Sequence, residues 1–183
     1  IMTEEPYRWL EAITNRREYI EDTLSPGLPV VALSAAPGIL FLTIKTSTPK
    51  LFEIYDHLAL GSLGHPADIE KVRQAAIDAA HIEGFARSPG DVTARRLVSY
   101  NLSPALKTAF EQIFAAPLLF RGILGELGAT AAEDFLWRLD YDGSFSAQSG
   151  SELAHGVVIS GPRQVTREWI SQSPKPTLER HDL

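Results

Sequence analysis

The chain has 183 residues, of which 44% are hydrophobic, so it is long enough to bury one substantial core and we expect a single domain. Its 17 basic and 23 acidic side chains give a formal net charge of −6, and the basic ones are scattered, which argues against a nucleic-acid partner. Because it has no cysteine and no apolar run of the ~18 residues that a membrane span needs, we expect a cytoplasmic protein without disulfides, thiol catalysis, cysteine zinc sites or membrane contact.

Residues 1–24 have the pattern of an amphipathic helix. Thr3 suits the N-cap position, and Glu4 and Glu5 bring negative charge to the first turn, where it favours the helix dipole. Apolar side chains recur close to helical spacing at Trp9, Leu10, Ile13, Ile20 and Leu24. Because the stretch SPGLP separates this helix from the rest of the chain, we expect it to lean on the domain or on a neighbouring chain rather than to form the core.

Four short stretches rich in β-branched and aromatic residues come next, with turn residues such as Pro37 and Gly38 between them. They are 29–36 (PVVALSAA), 38–45 (GILFLTIK), 50–56 (KLFEIYD) and 58–64 (LALGSLG). We expect them to be consecutive strands of an antiparallel sheet, the last of which ends at Gly61 and Gly64.

From Pro66 the apolar period becomes helical, and this pattern predicts two long helices. The apolar residues of the first are Ile69, Val72, Ala76, Ala79 and Ala80. The second comes after SPGD, with Ser88 or Asp91 as its cap, and its apolar residues are Val98, Leu102, Ala105, Ala109, Phe110 and Ile113. Pro104 lies inside it, so we predict a kink there, because the proline ring removes a hydrogen bond and crowds the preceding turn.

Strand patterns then return and alternate with turn residues. They are 118–127 (LLFRGILGEL), 134–143 (DFLWRLDYDG), 144–148 (SFSAQ) and 155–161 (HGVVISG), with a hairpin turn at Asp142 and Gly143 between the second and third. Residues 163–172 predict a last amphipathic helix, and 173–183 an irregular end. Since strands, helices and strands come in separate runs, the order predicts an α+β layered domain rather than a parallel fold.

The sequence lacks the familiar short motifs of catalysis and cofactor binding. Gly122, Gly125 and Gly128 do not have the spacing of a dinucleotide loop, and DYDGSF has Phe145 where a calcium loop needs glycine. The five histidines show no HExxH or i, i+4 pairing, and there is no G-x-S-x-G elbow. We therefore expect no metal and no cofactor.

Taken together, the solitary first helix, VVALSAAPGILFL, KLFEIYDHLALGSLG, GDVTARRL, WRLDYDGSF and GVVISG resemble the α-type subunits of bacterial 20S proteasomes, of the actinobacterial kind. The resemblance covers residues 5–161 and implies a four-layer αββα sandwich, the fold of N-terminal-nucleophile (Ntn) hydrolases. It divides a single domain, 1–183, into an N-terminal interface helix (1–24), a core sandwich (28–161) and a shortened C-terminal segment (162–183). Such subunits normally continue through two further helices and closing strands, so either helices are lost or residues are missing between 161 and 176.

The resemblance also bears on Lys50. Without the resemblance, three roles stay open for this lysine: a catalytic base, a socket for a partner's carboxylate, or a solvated strand end. In the catalytic β-type relatives, a threonine, an acidic residue and a lysine act together, and their places here fall on Leu28, Ile44 and Lys50. Leucine has no nucleophile and isoleucine no charge, so we expect no peptidase activity of the chain's own. In α subunits the lysine receives the C-terminal carboxylate of an activator's hydrophobic-tyrosine-X tail, and the candidate residues of this docking site are Lys50, Ser62, Leu63 and Gly64.

The resemblance implies a structural and gating subunit. Its partners are neighbouring α subunits in a heptameric ring, proteasome β subunits, and an ATP-dependent ring unfoldase or other activator. The candidate ring-interface residues are Trp9, Leu10, Ile13, Ile20 and Leu24. Two alternatives stay open: a degenerate self-processing Ntn hydrolase, and a stand-alone interaction module of the same fold.

Overall fold

The computed structural model describes residues 5–151 and 157–159 of the chain. The Thr3 cap, the helix predicted over 163–172 and the irregular end predicted over 173–183 lie outside the described residues. The first element is helix α1, Glu5–Leu24, which confirms the helix expected near the N-terminus.

Within the described residues, eight strands form two antiparallel sheets. The first sheet has the order β2-β1-β8, with β1 at Val30–Ala35, β2 at Gly38–Thr43 and β8 at Val157–Ile159. The second has the order β3-β4-β5-β6-β7, with β3 at Leu51–Tyr55, β4 at Leu58–Gly64, β5 at Phe120–Glu126, β6 at Phe135–Asp140 and β7 at Phe145–Ser149.

The expectation that the first four strands share a sheet was wrong. Strands β1 and β2 pair with each other, and β3 and β4 belong to the second sheet. The link between β2 and β3 contains Pro49, and the Thr46 hydroxyl donates to the carbonyl of Thr48 within it. Stacking the two hairpins face to face gives their apolar side chains a common interior, which one continuous sheet would not provide.

The interior between the sheets is a compact apolar cluster. It contains Val30, Ala32, Leu63, Ile123, Leu136 and Ile159, with Ile39 and Phe41 packed against it. Gly61 lies directly against the side chains of Val30 and Phe41, so a β-carbon at this position would meet both. The glycine therefore allows the two sheets to approach closely here.

A helical layer covers the other face of the five-stranded sheet. It begins with α2, Pro66–Ala86, and continues through a 3₁₀ turn at Pro89–Asp91 to α3, Ala94–Arg96. A π-helical turn at Leu97–Leu102 then leads into α4, Ser103–Glu111. The core below these helices includes Leu60, Leu124, Trp137 and Leu139 from the strands and Ile69, Val72, Ala76, Leu97, Leu102 and Leu106 from the helices.

The second predicted helix differs from expectation in three details. Its cap is Thr93, whose hydroxyl accepts from the N–H of Arg96, rather than Ser88 or Asp91. The turn before Pro104 is π-helical, and the N–H of Ser103 bonds to the carbonyl of Val98, five residues back. This arrangement widens the turn that the proline ring would crowd. The helix also ends at Glu111, so Ile113 lies beyond it.

The hairpin predicted at Asp142 and Gly143 is confirmed. Gly143 has φ of +81°, a conformation that favours glycine, and Asp140 and Ser144 close the turn with a backbone hydrogen bond of 2.9 Å. The described residues thus form three layers: a three-stranded sheet, a five-stranded sheet and helices. Within them no helical layer covers the outer face of the three-stranded sheet, and no helix is long and apolar enough to cross a membrane.

Candidate functional site

Three chain segments meet at one end of the sandwich. Leu28 precedes β1 and Ile44 follows β2, and these two strands pair from Val30 to Thr43 at this end. Gly27 contacts the side chain of Leu63, near the end of β4. Ser62 of the same strand binds the carbonyl of Lys50, just before β3. The structure therefore brings Leu28, Ile44 and Lys50 to one corner, and we call this region, with Ser62–Gly64, the Lys50 corner.

The hydroxyl groups at this corner are already engaged. Thr43 Oγ1 donates to the carbonyl of Pro29 over 2.9 Å, and Ser62 Oγ donates to the carbonyl of Lys50 over 3.1 Å. Leu28 and Ile44 supply only hydrocarbon. Among the described residues, the corner thus offers the cation of Lys50 and no hydroxyl paired with a base of the kind that nucleophilic catalysis requires.

The Lys50 side chain is half-buried, and this burial lowers the pKa of its ammonium group. Among the described residues it forms no ion pair and no side-chain hydrogen bond. A desolvated cation of this kind gains free energy when an acceptor replaces its lost water. The chemistry available at Lys50 is therefore the binding of an anion.

The other three predicted socket residues occupy different environments. Ser62 is fully buried and Leu63 lies in the apolar interior between the sheets. Gly64 has φ of +141°, and a β-carbon there would collide with the carbonyl of Leu119. In the single chain Ser62 and Leu63 are thus covered by their own fold, and Ser62 contacts Lys50 through the backbone carbonyl of the lysine.

Helix α1 divides into two unlike halves. Trp9 and Leu10 in the first half are 46% and 62% exposed. In the second half, Ile20 and Leu24 are buried against Phe110 and Tyr141, with Ile13 packed at the margin. The chain therefore covers Ile20 and Leu24 itself, and of the five residues predicted at a ring interface, Trp9 and Leu10 are the ones left open to a neighbour.

A cluster of charges that the sequence reasoning missed holds the buried half of α1. Arg121 Nη2 donates to Glu21 over 2.7 Å, and Arg121 Nε donates to Asp140. The Tyr141 hydroxyl donates to the same Glu21 oxygen over 2.8 Å. We call these four residues, with Ile20, Leu24 and Phe110, the α1 anchor.

Burial and hydrogen bonding set the ionisation of this anchor. Burial and the bond to Glu21 raise the pKa of Tyr141 to about 12. Although burial opposes its charge, the carboxylates of Asp140 and Glu21 raise the pKa of Arg121. The sequence offered no spacing signal for this cluster, because Glu21 and Arg121 are 100 residues apart.

Arg16 fixes α1 to the end of α4. Its guanidinium is buried and donates to the carbonyls of Ala115 and Ala109 over 2.8 and 3.0 Å. Beside it runs an open, largely apolar groove of about 860 Å³, between the first half of α1 and the chain after α4. It is lined by Arg8, Trp9, Ala12 and residues 111–115. Phe114 beside it is fully exposed.

Comparison with known proteins identifies the family. Over 165 residues the chain is 35% identical to "Proteasome subunit alpha" of Actinosynnema mirum, which covers 89% of this chain and 60% of that protein. It is 30% identical to the protein of that name from Jonesia denitrificans, over 94% of this chain and 71% of the relative. For Paenarthrobacter aurescens the identity is 31%, over 87% and 68%.

The chain belongs to the proteasome α subunit family. No family model matches it. The chain spans about two thirds of the length of these relatives, and only 60% of the Actinosynnema protein.

The family that the sequence resembled is therefore confirmed, and the α+β arrangement of helices and antiparallel sheets agrees with it. In this chain, the Lys50 corner and the exposed half of α1 are two surfaces whose groups are left open to a partner. Among the described residues no group of three histidine, aspartate or glutamate side chains is placed to hold a metal ion.

Proposed function

We propose that this chain is a non-catalytic α-type subunit of a 20S proteasome-like particle. It forms the outer ring, gates substrate entry, docks an ATP-dependent unfoldase and provides a template for the catalytic β ring. The observation that carries the proposal is the Lys50 corner, where a half-buried lysine stands beside Leu28 and Ile44 without an acidic partner among the described residues.

The lack of catalysis follows from the chemistry of that corner. A threonine-type hydrolase needs a nucleophile at the start of the first strand and an acidic residue that forms an ion pair with the lysine. Leu28 and Ile44 supply neither group. Burial alone shifts the pKa of Lys50. Because no nucleophile stands beside it, this lysine has no catalytic group whose proton it could accept.

The same corner suits the carboxylate at the end of an activator's tail. An ammonium–carboxylate hydrogen bond contributes about 1.5–3 kcal/mol and orients the peptide as well as holding it. The extended tail of an unfoldase subunit is the partner that we propose.

The exposed half of α1 is the surface that we propose for contact with the neighbouring α subunit. Trp9 and Leu10 are large, apolar and open to solvent, and the groove beside them is lined mainly by hydrocarbon. Aromatic side chains of this kind contribute strongly when an interface buries them. Ile20 and Leu24 take no part, because they belong to the α1 anchor.

The proposal includes the remaining architecture of the particle. A four-layer sandwich, which we propose for the complete subunit, requires a helical layer over the outer face of the three-stranded sheet. We propose a single domain over 1–183 that works in the cytoplasm, with β subunits and neighbouring α subunits in a heptameric ring.

The test is co-expression of the chain with a proteasome β subunit, followed by measurement of particle mass and shape. We expect stacked rings whose peptidase activity comes from the β subunit, and no hydrolysis of fluorogenic peptides by the chain alone. A chain that stays monomeric with the β subunit would favour the stand-alone module. Hydrolysis without β subunits that a threonine-directed inhibitor abolishes would favour the self-processing hydrolase.

A matched pair of variants separates assembly from folding. Trp9→Ala should weaken ring formation and leave the unfolding midpoint of the isolated chain unchanged, because the side chain is half exposed. Ala12→Ser, a small change in the same groove, is the control and should assemble normally. Normal assembly of Trp9→Ala would exclude this face from the interface.

A further inference from the structure

The backbone of Lys50 is held by one buried residue. Both the N–H and the hydroxyl of Ser62 donate to the carbonyl of Lys50, over 2.8 and 3.1 Å. Ser62 is fully buried, so water does not compete for either bond. A serine hydroxyl that reinforces a backbone bond to the same carbonyl restrains that carbonyl more strongly than the ladder bond alone.

This restraint acts at the point where the chain enters the second sheet. Lys50 lies between the link of residues 44–49 and the first residue of β3, Leu51, which pairs with Gly61. The link contains an internal hydrogen bond, in which the Thr46 hydroxyl donates to the carbonyl of Thr48 over 2.9 Å. Ser62 is therefore the contact that ties Lys50 to the rigid strand β4.

A lysine side chain has four rotatable bonds, so the position of its ammonium depends on how firmly its backbone is fixed. When the backbone is fixed, less conformational entropy is lost as the ammonium meets an acceptor. The ammonium of Lys50 has no acidic partner among the described residues, so no ion pair with them fixes its position and the restraint on its backbone matters more.

We propose that Ser62 is a positioning residue, which fixes the backbone of Lys50 so that its ammonium faces an incoming carboxylate from a constant place. The part of this proposal that concerns an incoming carboxylate rests on the proposed docking function, whereas the restraint of the Lys50 backbone by Ser62 is independent of it. Ser62 touches no ligand in this scheme and acts only through Lys50.

The restraint is tested first on the full chain without any ligand. Reductive ¹³C-methylation labels the five lysines, and NMR follows the titration of each amine. In the unaltered chain Lys50 should titrate at lower pH than the exposed lysines. Ser62→Ala removes the hydroxyl bond but keeps the N–H bond, so the fold should survive and Lys50 should titrate closer to an ordinary lysine.

A matched control removes the same type of bond elsewhere. Ser103 Oγ donates to the carbonyl of Gly143 over 2.6 Å, far along the chain from Lys50. Ser103→Ala should leave the Lys50 titration unchanged. Ser62→Cys keeps the shape and a weak donor and should give an intermediate titration. An unchanged Lys50 titration in Ser62→Ala, or an equal shift in Ser103→Ala, would overturn the proposal.

The docking role is tested with a peptide that ends in the hydrophobic-tyrosine-X pattern, compared with its C-terminally amidated form. Ser62→Ala should weaken binding of the free-acid peptide about two- to tenfold, as expected for loss of one neutral hydrogen bond. It should have no effect when Lys50→Ala is already present, because the two changes then act through one residue. Equal weakening in both backgrounds would contradict positioning.

The two proposals fail in different ways. If the free-acid and amidated peptides bind equally to the unaltered chain in its β-containing particles, the docking function fails, and the titration alone decides the role of Ser62. If the acid is preferred but Ser62→Ala changes neither titration nor affinity, the docking function stands and the positioning role is wrong.

Discussion

The α1 anchor and the Lys50 corner each contain a cation shielded from water, and they treat it in opposite ways. Arg121, whose side chain is 8% exposed, has a carboxylate on each side, Glu21 and Asp140. Lys50 has no carboxylate partner within the described part of the chain, and burial alone lowers its pKa. A shielded cation that is fully paired serves the fold, whereas one without a partner keeps its binding capacity for a ligand.

The apolar part of the anchor should show the largest effect. Ile20→Ala should lower the free energy of unfolding by about 3–4 kcal/mol, because it leaves a cavity beside Phe110 and Tyr141. Urea denaturation measures the change. Leu10→Ala, on the exposed half of the same helix, is the control and should leave stability within about 0.5 kcal/mol. Equal losses for both variants would show that the helix has no divided role.

Loss of the charged part of the anchor should have the second-largest effect on stability. Arg121→Met should cost about 2–3 kcal/mol, since Glu21 and Asp140 would lose the cation between them. The loss stays at the lower end because half of the Glu21 side chain is exposed and water can compensate. Arg73→Met removes an arginine paired only with the exposed Glu70 and should have no measurable effect. If Arg121→Met left the free energy of unfolding unchanged, the charged cluster would not contribute to stability.

The hydroxyl of Tyr141 should contribute less. Tyr141→Phe should cost about 1–1.5 kcal/mol at neutral pH, because Glu21 loses one donor. Since the folded pKa of about 12 exceeds the ordinary 10.0, this contribution is complete below pH 10 and lost between pH 10 and 12. Stability measured against pH should therefore fall more steeply in that range for the unaltered chain than for Tyr141→Phe. Parallel curves would contradict the assignment.

The Lys50 corner should show the smallest effect on folding. Lys50→Met should leave the unfolding midpoint unchanged or raise it slightly, although the same replacement at Arg121 is costly. The folded pKa of Lys50 lies below the ordinary 10.5, so the unfolded chain holds the proton to higher pH. Stability should therefore rise with pH up to about 10.5 through this residue, opposite to Tyr141. A clear loss in Lys50→Met at neutral pH would show that Lys50 is structural.

Local patterns in the sequence were sufficient for the elements and for the family. The spacing of apolar residues predicted α1 and α2, short stretches rich in β-branched and aromatic residues between turn residues predicted the strands, and Asp142 with Gly143 predicted the hairpin. These features depend on neighbours a few residues away, and backbone geometry sets their period. The same local stretches carried the resemblance to proteasome α subunits.

Contacts between distant parts of the chain decided the rest. The division of the first four strands into two sheets depends on which apolar faces meet. Glu21 and Arg121 pair across 100 residues of sequence, and Ser62 holds Lys50 across a strand pair. The sequence by itself determined the type and order of most helices and strands and the family that the chain belongs to. Only the tertiary structure decided that Arg121 is paired with carboxylates and that Lys50 has no acidic partner among the described residues, because that depends on distances that no local period encodes.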